Sequence, residues 1–279
     1  MEGFIVKNIS NDYTVKTKDN IYICKARGKF RNVNIIPQVG DNVIFDEINN
    51  YILEIKPRKN SLIRPNVSNI DNALIVTSVK HPNLDTFLLD KLLTIISYNN
   101  INPIICFTKL DLLNDKEIED INKYIDYYKS IGYSVYRNDK IEELKNVFKD
   151  KVTVFTGQSG AGKSSLLNKL NSNLNLKTDE ISYALGRGKH TTRHTELYEI
   201  LDGYIVDTPG FSEVNFGDMT KHDIRDNMNE MYDNLEHCKY RDCLHIKEDG
   251  CSVIEKVKEN KILKSRYDNY RIFIERCDK

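Results

Sequence analysis

The stretch Gly157-Gln-Ser-Gly-Ala-Gly-Lys-Ser164 fits GxxxxGK[ST], the pattern of a glycine-rich loop that holds phosphate groups. A second motif, Thr108-Lys-Leu-Asp111, has the form of a guanine-reading sequence and comes earlier in the chain. In Ras-like proteins the phosphate-binding loop comes first and the base-reading motif follows. The reversed order predicts a circularly permuted GTPase domain.

The phosphate-binding loop has the context that its motif requires, because it follows an apolar run and opens a helical pattern. Its glycines let the backbone turn tightly, so that amide N–H groups point at phosphate oxygens. Lys163 supplies positive charge to the β and γ phosphates, and Ser164 supplies a hydroxyl ligand for Mg²⁺. A turn that merely caps a helix is the alternative. We predict nucleotide contacts from Gly157, Gln158, Ser159, Gly160, Ala161, Gly162, Lys163, Ser164 and Ser165.

The base-reading motif Thr108-Lys109-Leu110-Asp111 follows an apolar run that ends at Phe107. The Asp111 carboxylate can accept hydrogen bonds from the N1 and N2 donors of guanine, which adenine lacks, while the Lys109 stem covers the ring. The motif therefore favours GTP over ATP. It departs from the commoner Asn-Lys-x-Asp at its first residue, and a solvated turn is the alternative. A second base-contacting segment is not evident at Arg137-Asn-Asp139, and that role stays open.

Two segments downstream complete the predicted site. Asp207-Thr-Pro-Gly210 follows an apolar run, so the Asp207 carboxylate can hold Mg²⁺ through a water and the Gly210 N–H can meet the γ phosphate. On its own this sequence is an ordinary strand-to-turn sequence. Between it and the phosphate-binding loop lies a glycine-rich basic stretch, residues 186–192, in which Thr191 or Thr192 is expected to complete the Mg²⁺ shell.

The group that activates water does not follow from the usual motif. Ras-like enzymes place a glutamine just after the glycine of the Asp-x-x-Gly motif, but this chain has Phe211, which cannot orient water. His190 is the best candidate, because an imidazole can orient water or accept its proton near neutral pH. The alternative is a loop histidine that contacts RNA or has no role.

Composition and cysteine spacing limit the possible partners, the location and the metal content of the protein. The 279 residues carry 41 basic and 41 acidic side chains, so the balanced charge gives no overall attraction to nucleic acid. The chain has no signal peptide pattern and no apolar run of about 18 residues, which predicts a cytoplasmic protein. Cys238, Cys243, His245 and Cys251 form a cluster that suits tetrahedral Zn²⁺ better than a disulfide framework. We expect His237 to be a bystander.

Periodicity divides the chain into three. Residues 1–65 show short apolar runs with turn residues, which predicts a small β-barrel. Residues 66–216 alternate apolar strands with helical stretches, which predicts an α/β domain covered on both faces of its sheet. From 217 to 279 only helices are expected, over 223–235 and 253–274. The predicted strands of the central domain are 73–76, 104–107, 134–136, 152–155 and 204–206.

The order of motifs at 108–111, 157–165, 186–192 and 207–210, followed by the Cys/His cluster, resembles the RsgA family, also called YjeQ or YloQ. The resemblance covers essentially the whole chain. It implies a multidomain protein with an N-terminal OB-fold, a circularly permuted GTPase and a C-terminal helical domain that binds one structural zinc. It also implies a role in late maturation of the small ribosomal subunit, with GTP hydrolysis faster on that subunit. A histidine before paired threonines in this family supports His190.

Two functions follow as hypotheses. The first is a GTPase that hydrolyses GTP to GDP and uses hydrolysis to time its release from the subunit. The second is a nucleotide-gated RNA- or ribosome-binding module with negligible turnover, which Phe211 would favour. Contact with ribosomal RNA could use basic and aromatic residues of the barrel, namely Lys25, Arg27, Lys29, Phe30 and Arg31, or these could be a solvated face. We expect a monomer with no membrane partner.

Overall fold

The computed structural model describes residues 1–28, 30, 35–62, 66–170, 195–206 and 215–277. The described chain divides into two compact units. One contains Met1–Ala73, Glu142–Phe155 and Ser164–Phe211, and the other contains Leu74–Ile141, Thr156–Lys163 and Ser212–Lys279. In the part of the chain that is described, no helix has both the length and the apolar character needed to cross a bilayer.

A closed five-stranded β-barrel begins the first unit. Its strands are β1 (Glu2–Ile9), β2 (Asp12–Lys16), β3 (Ile21–Ala26), β4 (Asn42–Asp46) and β5 (Tyr51–Ile55). The antiparallel pairs β1–β2 and β2–β3, the parallel pair β3–β5 and the antiparallel pairs β5–β4 and β4–β1 close the ring. The inward side chains Ile5, Val15, Cys24, Val43, Phe45 and Ile52 are fully buried. The predicted N-terminal barrel of OB-fold type is thereby confirmed.

The first unit also contains a set of strands joined to the barrel. The short strands β6 (Ser61–Leu62) and β7 (Val67–Ser68) pair with each other. β11 (Val152–Gly157) is parallel to β13 (Gly203–Val206), which is antiparallel to β12 (Thr195–Ile200). β12 in turn pairs with β1 of the barrel, with Lys7 opposite Glu196. The sequence did not predict β12, because Glu196 and Glu199 interrupt any continuous apolar run.

The second unit contains three strands in the order β10, β9, β8, with β9 in the middle. They are β8 (Asn72–Ser78), β9 (Asn102–Thr108) and β10 (Ser134–Arg137). Every residue of β8 is buried, as expected for a strand covered on both faces. Helix α1 (Thr86–Tyr98) connects β8 to β9, and α2 (Asp115–Ser130) connects β9 to β10. The helices α3 (Ile141–Lys145) and α4 (Lys163–Leu170) belong, except for their first residues, to the first unit.

Helices form the C-terminal part of the second unit, as predicted, but they are shorter than expected. The helix expected over 223–235 is split into α5 (Lys221–Asp226), α6 (Asn229–Asp233) and a 3₁₀ turn, Leu235–His237. The helix expected over 253–274 is split into α7 (Ser252–Lys258) and α8 (Lys264–Glu275). Asn260 adopts a φ of 58°, a left-handed conformation that ends α7. α8 packs against α1.

Candidate nucleotide site and metal centre

The phosphate-binding loop lies between β11 and α4, as its motif requires. Gly157, Gly160 and Gly162 have φ values of 120°, 76° and 91°, a region that side chains rarely adopt. A Cβ atom on Gly157 would lie 2.1 Å from the carbonyl oxygen of Val76, so glycine is needed there. Lys163 Nζ donates to the carbonyl oxygens of Gly157 and Gln158 at 2.9 and 3.0 Å. Its ammonium therefore lies over the loop, where a bound phosphate would meet it.

The base-reading motif is hydrogen-bonded directly to the phosphate-binding loop. β9 ends at Thr108, which is buried, and its Oγ1 donates to the carbonyl oxygen of Ala161 at 2.6 Å. Lys109 has a φ of 63°, and Asp111 lies exposed in the 3₁₀ turn Leu110–Leu112. The structure thus brings the motif against the middle of the phosphate-binding loop. The hydroxyl of Thr108 has a structural partner that an apolar side chain could not replace.

A third segment, residues 79–85 between β8 and α1, touches both motifs. Lys109 Nζ donates to the carbonyl oxygen of His81, and Gln158 Nε2 donates to that of Asn83 at 3.1 Å. A Cβ atom on Gly160 would lie 3.6 Å from Pro82 Cδ, which places this segment beside the phosphate-binding loop. This segment was not predictable from the sequence, because its contacts come from backbone carbonyl groups that any residue type supplies.

The remaining residues of the predicted nucleotide site are the Mg²⁺ ligands other than Ser164, the γ-phosphate contact and the catalytic candidate. His190, Thr191, Thr192, Asp207 and Gly210 all lie outside the described residues, as does Phe211. Their roles stay hypotheses from the sequence. The described part of the site therefore consists of the phosphate-binding loop, the base-reading motif and the segment at 79–85.

The four predicted metal ligands form a compact cluster in the second unit. The sulfur and nitrogen atoms of Cys238, Cys243, His245 and Cys251 all lie within 4.8 Å of one another. His245 Nδ1 is 3.5 Å from Cys238 Sγ and 3.3 Å from Cys251 Sγ, and those two sulfurs are 4.0 Å apart. Tetrahedral metal–ligand bonds of about 2.0–2.3 Å give ligand separations of about 3.5–3.8 Å. The cluster can therefore hold a metal ion.

The imidazole is oriented for this role. His245 Nε2 lies 3.1 Å from the carbonyl oxygen of Met231, to which it can donate, so the Nδ1 lone pair faces the sulfurs. Burial lowers the pKa of His245 to about 4, which keeps the ring neutral and able to act as a ligand. Burial also raises the pKa of Cys243 to about 12, so a metal ion must displace the thiol proton. His237 is exposed beside Glu236 and is not part of the cluster.

The fold and the site together define a class of protein. A glycine-rich loop joins a strand to a helix, and a base-reading motif from an earlier strand is hydrogen-bonded to it. This arrangement defines a P-loop GTPase with a circularly permuted order of motifs. The model of the RsgA GTPase family matches residues 55–217, and that of the RsgA N-terminal domain matches residues 2–52. The chain belongs to the RsgA GTPase family.

Individual relatives match this chain in sequence over almost its whole length. The small ribosomal subunit biogenesis GTPase RsgA 2 of Oceanobacillus iheyensis is 46% identical, with 98% of this chain and 96% of that protein covered. The solved structure of YloQ, described as a circularly permuted GTPase, is 37% identical with a TM-score of 0.82, covering 98% of this chain and 93% of that one. YjeQ from Thermotoga maritima is 33% identical with a TM-score of 0.84, covering 98% and 97%. The predicted family and permuted fold are confirmed.

Proposed function

We propose that this GTPase assists late maturation of the small ribosomal subunit and that hydrolysis of GTP to GDP and phosphate times its release. The observation that carries the nucleotide part is the hydrogen bond from Thr108 to Ala161, which fixes a base-reading motif against a phosphate-binding loop. The ribosomal part is supported by relatives named small ribosomal subunit biogenesis GTPase, of which two are 46% and 44% identical over 98% of the chain.

Each nucleotide-site residue has a proposed role. Asp111 accepts from guanine N1 and N2, and Lys109 covers the ring. The amide groups of 157–165 and the ammonium of Lys163 hold the phosphates. Mg²⁺, when bound, neutralises phosphate charge; its proposed ligands are Ser164, Thr191 or Thr192, and Asp207 through a water. The Gly210 N–H meets the γ phosphate, and His190 orients the attacking water.

The Cys/His cluster is proposed to hold one structural Zn²⁺. Three thiolates and one imidazole are ligands that zinc prefers, and they leave no open position for a substrate. The four ligands come from the segment between Leu235–His237 and α7, where an ion would fix a long connection. We assign residues 1–65 to the barrel domain, 66–216 to the GTPase domain and 217–279 to the zinc-binding domain.

The proposed partners are GTP, GDP and the small subunit with its ribosomal RNA, and the proposed location is the cytoplasm. On the barrel, Lys25 and Arg27 line a surface cavity together with Tyr13 and Phe30. Tyr13 and Phe30 are themselves buried, so RNA contact at this surface would rest on phosphates meeting the exposed cations of Lys25 and Arg27. Lys29 and Arg31, which lie outside the described residues, add charge to the same stretch of sequence. The protein is proposed to act as a monomer without a membrane partner.

The test is GTP hydrolysis by the purified protein with and without purified small ribosomal subunits. We expect multiple turnover and a large increase in kcat when subunits are added. Asp111→Asn, in the same assay, should lose the preference for GTP over ATP. GTP-dependent binding to subunits without any increase in hydrolysis would instead support the alternative of a nucleotide-gated binding module, which Phe211 favours.

A further inference from the structure

The proposed guanine reader lies on a short stretch of chain between β9 and α2. Asp111 comes two residues after Lys109 and three residues before Asn114, which caps α2. The side chain of Asp111 is exposed, so packing does not fix where its carboxylate lies. The position of that carboxylate therefore depends on how the main chain is held on either side of it.

The side before the aspartate is held by the segment at 79–85. The N–H of Val79 donates to the carbonyl oxygen of Thr108 at 3.2 Å. Two residues further along the segment, the carbonyl oxygen of His81 accepts from Lys109 Nζ. The start of the segment is thus hydrogen-bonded to the base-reading motif twice.

The side after the aspartate is held by the first turn of α2. Asn114 Oδ1 accepts from the N–H of Glu117 at 3.0 Å, and the Glu117 carboxylate accepts from the N–H of Asn114 at 2.9 Å. This reciprocal capping box fixes the start of the helix relative to the chain before it. The Glu117 carboxylate therefore lies where the stretch that carries Asp111 ends.

One ion pair joins the two sides. Lys80, the residue between Val79 and His81, has its Nζ 2.9 and 2.8 Å from the two carboxylate oxygens of Glu117. The two side chains are 28% and 39% exposed, so solvent screens the pair only in part. The hydrogen bond from Lys80 lowers the pKa of Glu117, so the carboxylate stays charged at neutral pH. The chain from 109 to 117 is thus closed into a loop by contacts at both of its ends.

We propose that Lys80 and Glu117 form a positioning pair, which holds the stretch that carries Asp111 in the conformation that reads guanine. This inference rests on the role proposed above for Asp111. The pair acts through the main chain on either side of the aspartate, and neither of its side chains has to touch the nucleotide. A displaced carboxylate would bind guanine less well, because hydrogen bonds weaken steeply when their angles are poor.

The test compares calorimetric Kd values for GDP and IDP, which differ only in the 2-amino group of the base. Asp111 can accept from N2 in GDP alone, so the ratio of the IDP and GDP Kd values reports how well its carboxylate is placed. Lys80→Met keeps an unbranched stem and removes the ammonium. It should weaken GDP binding about twofold to fivefold, the range of an exposed ion pair, and IDP binding less. Urea unfolding should show little change in stability.

Matched variants separate the ion pair from its surroundings. Lys80→Arg keeps the charge and should keep the ratio of the wild type. Glu117→Gln removes the charge but keeps the capping box, since glutamine also serves at that position, and it should match Lys80→Met. The double variant should bind GDP no more weakly than either single variant, because the same contact is lost in each. Lys123→Met, which breaks an exposed pair with Asp120 on the same helix, should bind both nucleotides as the wild type does.

Equal weakening of GDP and IDP in Lys80→Met, or affinities equal to those of the wild type, would overturn the proposal. Asp111→Asn separates such a result from a failure of the base-reading assignment. If Asp111→Asn loses the preference for GDP over ADP while Lys80→Met keeps the wild-type ratio, only the role of the pair is wrong. If Asp111→Asn keeps that preference, the base-reading assignment fails and the role of the pair fails with it.

Discussion

At the scale of single residues, the most informative contact is the one made by Thr108. A motif with Thr in place of the commoner Asn could have been a weak base reader, and the sequence left a solvated turn as an alternative. The structure gives the hydroxyl a buried partner, the carbonyl oxygen of Ala161. Because that oxygen belongs to the phosphate-binding loop, Thr108 ties together the segments proposed to hold the two ends of the nucleotide.

Thr108→Val tests this tie. The substitution keeps the shape and removes the donor, leaving the Ala161 carbonyl without it, so the free energy of unfolding should fall by about 1–3 kcal/mol. The Kd for GDP should rise about tenfold at a temperature at which the variant is fully folded, because the two loops are no longer held in register.

Thr94→Val is the matched control for Thr108→Val. Thr94 is also buried, but its hydroxyl donates to the carbonyl oxygen of Asp90 within α1. Its loss should affect stability in urea unfolding and leave the Kd for GDP unchanged. A GDP affinity equal to that of the wild type in Thr108→Val would show that the hydrogen bond does not organise the site.

At the scale of elements, a buried ionic network joins four helices of the second unit. Arg266 of α8 is fully buried, with Nη1 2.7 Å from Asp90 of α1 and Nε 2.6 Å from Glu230 of α6. Asp90 also accepts from the Tyr128 hydroxyl of α2 at 2.6 Å and from Asn269 at 2.7 Å. Burial alone would lower the pKa of Arg266, but the two carboxylates raise it above its ordinary value. The buried cation and the two buried carboxylates therefore compensate one another's charge.

Arg266→Met tests the network. Removing the cation leaves two buried carboxylates without compensation, which should cost about 3–5 kcal/mol in the free energy of unfolding. Adding Asp90→Asn and Glu230→Gln to Arg266→Met should restore part of the loss, because the stranded charges are then gone. Thermal and urea unfolding measure both effects.

Lys264→Ala is the control at the start of the same helix. Its side chain is exposed and pairs with Asp268 one turn on, so stability should change little. If Arg266→Met were as stable as Lys264→Ala, the buried carboxylates would not depend on the Arg266 cation, and the network would stabilise the fold through packing alone.

Much of the fold and of the site was predictable from the sequence, and the failures have physical causes. Continuous apolar runs identified β8, β9 and β11, and fixed spacing identified the metal ligands. The strand β12 escaped prediction, because Glu196 and Glu199 break its apolar pattern. The contact between Asp90 and Arg266 joins residues 176 positions apart, and no local pattern reports such a pair.

At the scale of the whole molecule, the metal cluster belongs to the core of the C-terminal helices. Cys243 and Cys251 are buried in the same apolar cluster as Met231, Tyr270 and Phe273. The hydroxyl groups of Tyr267 and Tyr270 donate to the carbonyl oxygens of His245 and Leu244, both at 2.7 Å. The ligand segment and α8 are therefore packed as one structure. Loss of the ion should destabilise the surrounding helices as well as the four ligands.

Metal removal tests that dependence. The purified protein should contain one Zn²⁺ per chain by elemental analysis, and a strong chelator should remove it with loss of helical circular dichroism and faster proteolysis after residue 217. Cys251→Ser should have the same effect without chelator. Cys277→Ser, which changes a buried cysteine outside the cluster, should keep the metal. Full helicity and protease resistance in metal-free protein would contradict the proposed structural role.

The pairing of β12 with β1 has a consequence for how force could pass along the chain. β12 begins at Thr195, three residues after Thr192, a proposed Mg²⁺ ligand. Its opening residues form a ladder with the barrel, with Thr195 opposite Asn8 and Glu196 opposite Lys7, and an ion pair of 2.8 Å reinforces the second pair. Three residues of chain can span no more than about 11 Å even when fully extended. A displacement of the proposed Mg²⁺ ligand would therefore reach the barrel strand through a very short stretch of chain.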